Sequence, residues 1–156
     1  MATKKMAIIA TKGTLDMAYP PLILASTAAA LGWDVQVFFT FYGLQLLRKN
    51  LDGIKISPLA NPAMPMPVPM PVIVSVLPGM EAMATMMMKA KMKKKGVASL
   101  EELRSLCLEA DVKFIACQMT VDLFEFDKSD FIDNIEYGGA ATFLKFAGET
   151  DVCLFI

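Results

Sequence analysis

The stretch VKFIACQMT, Val112 to Thr120, passes within nine residues from an apolar run to a polar residue and a helix-start signal. Val112–Cys117 reads as a strand, and Thr120 as the cap of a short helix reaching Phe124. The same order recurs on both sides. MAIIA (Met6–Ala10) is a short apolar run of the kind covered on both faces of a sheet. The polar loop TKGTLD follows it, then an alanine-rich helix ending near Leu31 with Gly32 as its stop. Pro20 and Pro21 place the regular start of that helix near Pro20, or after a kinked first turn. DVQVFFT (Asp34–Thr40) is a second strand, and YGLQLLRKN (Tyr42–Asn50) a short helix with basic residues in its last turn.

Downstream of the middle third, Ser99 and Glu102 have capping-box spacing and open a helix carrying Leu100, Leu103, Cys107 and Ala110 on one face. Beyond Thr120 come a helical turn in DKSDFIDN, an extended IEYGG, a helix in GAATFLKFAGE and a final apolar strand, DVCLFI. Strands alternating with helices predict an α/β fold, a mostly parallel sheet with helices on both faces. Ligands of such sheets sit at the carboxyl ends of the strands. That rim receives TKGT, FYG and the Cys117–Gln118 pair.

The middle third is different in kind. NPAMPMPVPMP (Asn61–Pro71) is extended, and VIVSVL (Val72–Leu77), bracketed by prolines, reads as a strand. Next comes a helix with Met80, Met83, Ala84, Met87 and Met88 on one side and lysines at its C-terminal end. Glu81 is the one charged residue between Lys55 and Lys89, a length that spans a bilayer. Seven prolines from Pro58 to Pro78 break it, so no continuous spanning helix is expected.

A chain of 156 residues is most simply one domain burying about two-thirds of its unfolded surface. Its 55 % hydrophobic content calls for a core, a subunit interface or a membrane surface to hide it. A net charge of −1 offers nucleic acid no electrostatic footing. The first residues show no hydrophobic region long enough for a signal peptide, and three cysteines cannot all pair. Free thiols in a reducing cytoplasm are expected.

The chain contains no histidine, which removes Ser–His–Asp and Cys–His chemistry and the commonest metal ligand. No CxxC spacing is present, and TKGT lacks the glycine order of a P-loop. No metal is expected. Cys107, on a helix stripe, and Cys153, inside an apolar strand, read as buried packing residues. Cys117 differs by standing where a strand ends and a helix begins, a setting that lowers a thiol pKa. Packing alone also accounts for a cysteine there. Lys12 is either a thiolate partner, if its strand neighbours that of Cys117, or a solvated loop lysine. Thr14 reads as an anion donor or a helix-start residue, and Tyr42 as a crevice wall or a subunit contact.

Taken together, TKGTLDMAYPPLILASTAAALGWDVQVFFTFYGL, ADVKFIACQMTVDLF and IEYGGAATFLKFAGETDVCLFI resemble the DsrE/DsrF/TusD family of sulfur-relay proteins, in its branch with a hydrophobic insert. The resemblance implies a sandwich around a parallel sheet of about five strands, flavodoxin-like in its three layers. It implies one domain over residues 1–156, with a Met/Pro-rich insert at about 57–98, and assembly into homo-oligomers. It implies a sulfurtransferase or sulfur carrier, with sulfane sulfur held as a persulfide on Cys117. Lys12, Gly13, Thr14, Tyr42 and Gln118 would line the substrate pocket. The implied partner is a TusA-like or rhodanese-like sulfur carrier, and no cofactor is required. The Met80–Met88 stripe is read first as an oligomer interface and second as a peripheral membrane contact. A non-catalytic flavodoxin-like module holding a phosphate or nucleotide at TKGT is the alternative, and a membrane-surface scaffold the third reading.

Overall fold

A computed structural model describes residues 2–156. Five parallel strands form one sheet: β1 (Lys5–Ala10), β2 (Asp34–Phe39), β3 (Lys113–Cys117), β4 (Glu136–Gly138) and β5 (Val152–Phe155), in the order β4-β3-β2-β1-β5. Register aligns Ile8 with Val37 and Leu154, Phe38 with Ile115, and Cys117 with Gly138. The α/β expectation holds, although flavodoxin itself orders its strands 2-1-3-4-5.

The order explains the layers. From β1 to β4 the chain steps across the sheet in one direction. Right-handed crossovers then put α1 (Leu15–Ala30) and α4 (Leu100–Glu109) on one face. The last connection reverses direction to reach β5, so α6 (Ala140–Ala147) lies on the other face. The two-residue period of the strands sorts the core accordingly. Ile8, Val37, Phe39, Phe114 and Ala116 pack with Leu15, Leu22, Leu103 and Cys107. Ala7, Phe38, Ile115 and Cys117 pack with Phe143 of α6. Phe38 and Phe143 stack at 5.0 Å.

Helix α1 begins at Leu15, five residues before Pro20, and both prolines lie inside it. They leave the Asp16 and Met17 carbonyls without the usual donors, yet the tertiary burial of Leu15, Ala18, Leu22 and Ala25 holds the helix through them. Gly32, at φ +80°, ends it as expected: the Gly32 and Trp33 N–H groups donate to the Ala29 and Ala28 carbonyls. The segment after β2 is a 3₁₀ helix over Phe41–Leu47, and its expected basic turn lies outside it. Arg104 of α4, itself buried, closes the C-terminal end of that 3₁₀ helix: its Nη1 donates to the Leu46 and Arg48 carbonyls.

Val72–Ser75 is a helical turn (α2), a correction to the strand expected there. Neither sheet edge reaches it, so its backbone bonds close locally. Met80–Lys94 forms the expected helix, α3, but only part of its methionine stripe faces the protein. Ala84 is buried and Met88 and Met92 pack on the core, while Met83, Met86 and Met87 are exposed. Thr85 ties α3 down: its Oγ1 accepts the Ile56 N–H at 3.0 Å and donates to the Glu81 carbonyl at 2.7 Å. The Ser99–Glu102 capping box is present, although Ala110 is exposed beyond it. No helix among the described residues is long and apolar enough to cross a membrane.

Candidate functional site

Cys117 ends β3 and directly precedes helix α5 (Gln118–Leu123), so the cap position belongs to Cys117 and Thr120 lies one turn inside. The strand period directs Cys117 to the α6 face, beside Phe38, Ile115 and Phe143, with 5 % of its surface exposed. Its neutral thiol makes no capping hydrogen bond. Burial pushes the thiol up, but the Thr120 hydroxyl and N–H, the Thr40 hydroxyl and the Met119 N–H together hold it below the ordinary cysteine value. Thr40 follows β2 and Thr120 is fully buried. Their Oγ1 atoms stand 3.2 Å apart, and the Phe41 N–H donates to Thr120 Oγ1 at 3.3 Å. Phe41 has φ +49°, a left-handed conformation that costs an L-residue about 1–2 kcal/mol.

The other cysteines separate clearly. Cys107 is fully buried on α4, as expected, and burial pushes its thiol up to about 12. Cys153 is exposed, a correction to the burial expected from VCLFI. It lies on edge strand β5, paired with Ala7, and so faces the side where α6 is the only helix of that layer among the described residues.

The remaining predicted residues divide into two groups. Lys12, Gly13, Thr14 and Tyr42 line one cleft of about 420 Å³ with Met17, Gln45 and Ser57. A Cβ on Gly13 would overlap the Tyr42 carbonyl oxygen, so the bare glycine lets the two segments meet. Thr14 precedes α1 without capping it with its side chain; its Oγ1 accepts from Ser57 Oγ at 3.3 Å. Ser57 also bonds Asp16, whose carboxyl is raised by burial but lowered further by those bonds. This acidic group at the start of α1 disfavours a bound anion there.

Strand β2 lies between β1 and β3, so the neighbour relation that would pair Lys12 with Cys117 is absent. Gln118 sits beside Cys117 and is held by two bonds: its Nε2 donates to Asp122 Oδ1 at 2.7 Å, and Lys128 Nζ donates to its Oε1 at 2.9 Å. Tyr42 links the groups. It lines the Lys12 cleft and stacks on Phe124, just beyond α5, at 6.2 Å.

Phe41, Tyr42, Phe124 and Met119 are all exposed, and the three aromatic rings contact one another. They form an apolar rim beside the Cys117 helix. Sequence reading missed Thr40 as a site residue and gave Thr120 the wrong role, because a threonine ending a strand or opening a helix looks like local capping. Among the described residues, no group of three or more His, Cys, Asp or Glu is placed to hold a metal.

The family model described as "DsrE/DsrF/DrsH-like family" matches residues 2–155. The "Sulfur carrier protein DsrE2" of Allochromatium vinosum is 66 % identical over 160 aligned positions, covering 100 % of both chains. The "Uncharacterized protein YrkE" of Bacillus subtilis is 34 % identical over 158, covering 99 % of this chain and 98 % of that one. The crystal structure of the E. coli ychN protein superposes with TM-score 0.56 at 11 % identity, over 99 % of this chain and 100 % of that chain, a likeness of fold.

Proposed function

We propose, from the premise that the chain belongs to the DsrE/DsrF/DrsH-like family, that it is a sulfur carrier holding sulfane sulfur as a persulfide on Cys117 and relaying it between thiols. The observation that carries the reading is the place of Cys117, at the C-terminal end of β3 and directly before α5, where neighbouring hydroxyl and N–H groups hold its thiol below the ordinary cysteine value without a histidine. The A. vinosum relative is named a sulfur carrier, which supports the same class.

In the transfer, the Cys117 thiolate attacks the outer sulfur of a donor persulfide, R–S–SH. A sulfur–sulfur bond forms to Cys117, the bond to the donor's inner sulfur breaks, and its electron pair leaves with R–S⁻. The proton stays on the transferred sulfur until the site ionises it. An acceptor thiolate then repeats the exchange in the opposite sense. Both leaving groups are thiolates, so no strong general acid is needed.

We assign the partner to a small TusA-like or rhodanese-like carrier docking on the Phe41–Tyr42–Phe124 rim. Gln118 would line the approach, with Lys12, Gly13 and Thr14 at its far side. Residues 57–98 are taken as an insert in a single domain that assembles as a homo-oligomer. Intact mass after polysulfide treatment tests the central claim. Wild type should gain sulfur-mass units that reductant removes, and Cys117→Ser should not. Equal gain on both proteins, or none on wild type, overturns it.

A further inference from the structure

We propose that α6 is the gate to Cys117: Phe143 latches it onto the sheet, and a sulfur donor reaches the thiol only when the first turn of α6 lifts. The proposal deepens the sulfur-relay reading and rests on it for the donor; the gate itself stands on packing geometry.

Two consecutive residues of α6 straddle the end of β3. On one side, Gly138 of β4 is in register with Cys117, and a Cβ there would meet the Thr142 side chain at 3.1 to 3.2 Å. Thr142 therefore rests on the bare strand beside Cys117. On the other side, Phe143 stacks on Phe38 of β2 at 5.0 Å, and Phe38 is in register with Ile115. Cys117, Ile115, Phe38 and Phe143 pack in one buried cluster. The cover over the thiol is thus the N-terminal half of α6.

That cover is the part of the surroundings that can open. Strands β2 and β4 are hydrogen-bonded to β3 on either side and cannot leave without breaking the sheet. Helix α1 buries seven side chains and α4 four, whereas α6 buries Phe143 alone. An element with so few buried contacts opens at a lower free energy than the whole chain. Its two ends also differ. The C-terminal end is tied to β1 through Lys5: its Nζ lies 3.0 Å from Glu149 Oε2 and 5.9 Å from the centre of the Phe146 ring, and its N–H donates to Asp151 Oδ2 at 2.8 Å. The end above the thiol starts at Gly139, with no side-chain cap, directly after Gly138. The loosely held end is the one that covers Cys117.

A cover suits a relay. A persulfide gives up its outer sulfur to any thiolate that reaches it, so an open site would lose its cargo to small thiols. Phe143 in this role decides access and takes no part in the exchange.

The three cysteines supply the test, because they lie at three depths: Cys153 exposed, Cys117 beneath α6, and Cys107 fully buried in the layer of α1 and α4. Iodoacetamide labelling of the full chain is read by peptide mass across low urea concentrations. Each rate is expressed relative to that of the same cysteine in the unfolded chain. Cys153 should react near its unfolded rate, Cys117 roughly tenfold or more slower, and Cys107 slower again. The Cys117 rate should rise with urea less steeply than that of Cys107, because lifting one helix exposes less surface than unfolding. Phe143→Ala should speed Cys117 labelling by roughly tenfold or more, and Phe143→Leu by less. Leu22→Ala, in the core of the opposite face, should speed Cys107 and leave Cys117 nearly unmoved. Cys117 sharing the rate and urea dependence of Cys107 overturns the gate, and so does Cys117 reacting like Cys153. A folded Phe143→Ala with an unmoved Cys117 rate overturns it, as does a Leu22→Ala that speeds both buried thiols equally. If Phe143→Ala does not fold, an unmoved rate in Phe143→Leu overturns it. A wild type that labels as expected but takes up no sulfur from polysulfide defeats the relay reading and leaves the gate standing. Sulfur uptake at Cys117 with labelling indifferent to Phe143 does the reverse.

Discussion

Arg104 Nη1 lies 2.6 Å from the carbonyl oxygen of Arg48 and 3.0 Å from that of Leu46. One buried guanidinium thus closes the C-terminal end of the 3₁₀ helix that carries Tyr42 and begins at Phe41. Burial lowers its pKa, yet an arginine remains charged at any ordinary pH. Arg104→Met should leave two carbonyls without a donor and cost about 1–3 kcal/mol, read as a lower urea midpoint at unchanged slope. Arg104→Lys should recover part of the loss. A methionine variant as stable as wild type would show that solvent replaces the bonds.

Cys107 predicts a pH dependence of stability. Its folded pKa is raised to about 12, above an unfolded value of roughly 8.5. A raised thiol pKa means that the stability it contributes is complete below the unfolded value and is lost as pH rises toward the folded one. The slope over that window is roughly 1.4 kcal/mol per pH unit. Cys107→Ala should be less stable than wild type at pH 7, because it leaves a cavity. The gap should narrow by about 1–2 kcal/mol between pH 8 and pH 10 as wild type alone pays for its thiol. Parallel curves would mean that Cys107 does not stay protonated in the folded chain.

Gly43 predicts how tightly the rim is held. A Cβ there would overlap the Ala10 carbonyl oxygen, and that oxygen accepts the Thr40 N–H at 3.1 Å. The obstruction is backbone, which cannot swing aside. Gly43→Ala should therefore destabilise by more than 2 kcal/mol, an effect of overpacking, in thermal or urea unfolding. It should also slow Cys117 alkylation, because Thr40 is displaced. A neutral substitution would show that the β1 and β2 ends separate easily.

The rim predicts a split between small and large sulfur donors. Tyr42 is well exposed, while Phe124 is only partly exposed and packs on Phe126, so replacing both with alanine should cost little stability beyond the Phe124 packing. Loading from inorganic polysulfide should persist, while transfer from a protein persulfide should fall by roughly tenfold, in line with the loss of an aromatic anchor. Equal losses with both donors would place the rings in the chemistry rather than in docking.

The frame of this fold was legible because strands MAIIA, DVQVFF and KFIAC are covered on both faces, and burial on both sides writes continuous apolar runs. Val72–Leu77 has the same local composition but no strand to pair with, so tertiary context decided it. Pro20 and Pro21 misled in the opposite direction: their local cost was outweighed by the core contacts of α1. Cys117 stood out by position. Thr40 and Thr120, whose hydroxyls help hold its thiol below the ordinary value, are eighty residues apart, and only the β2–β3 pairing brings them together. Lys12 was linked to Cys117 through a strand order that the sequence does not encode locally.

The last prediction concerns the exposed middle segment. Val72, Ile73, Val76, Met83, Met86 and Met87 leave large apolar side chains in solvent on α2, α3 and the turn between them. A patch of this kind on a folded chain marks an interaction surface. Methionine packs adaptably, and only Glu81 carries charge before Lys89, so a second copy of the chain can be met without opposing charges. If the patch joins copies of the chain, wild type should scatter as an oligomer, and replacing Ile73, Val76, Met83 and Met87 with glutamine should give a smaller species. Core stability should be nearly unaffected, because those side chains face outward. Sulfur loading at Cys117 should also persist, since Cys117 lies on the α6 face of the sheet. Lysines 89, 91, 93, 94 and 95 provide the contrasting outcome. If wild type is monomeric, floats with anionic vesicles at low salt and loses that binding in the glutamine variant, the patch meets lipid and the oligomer reading falls.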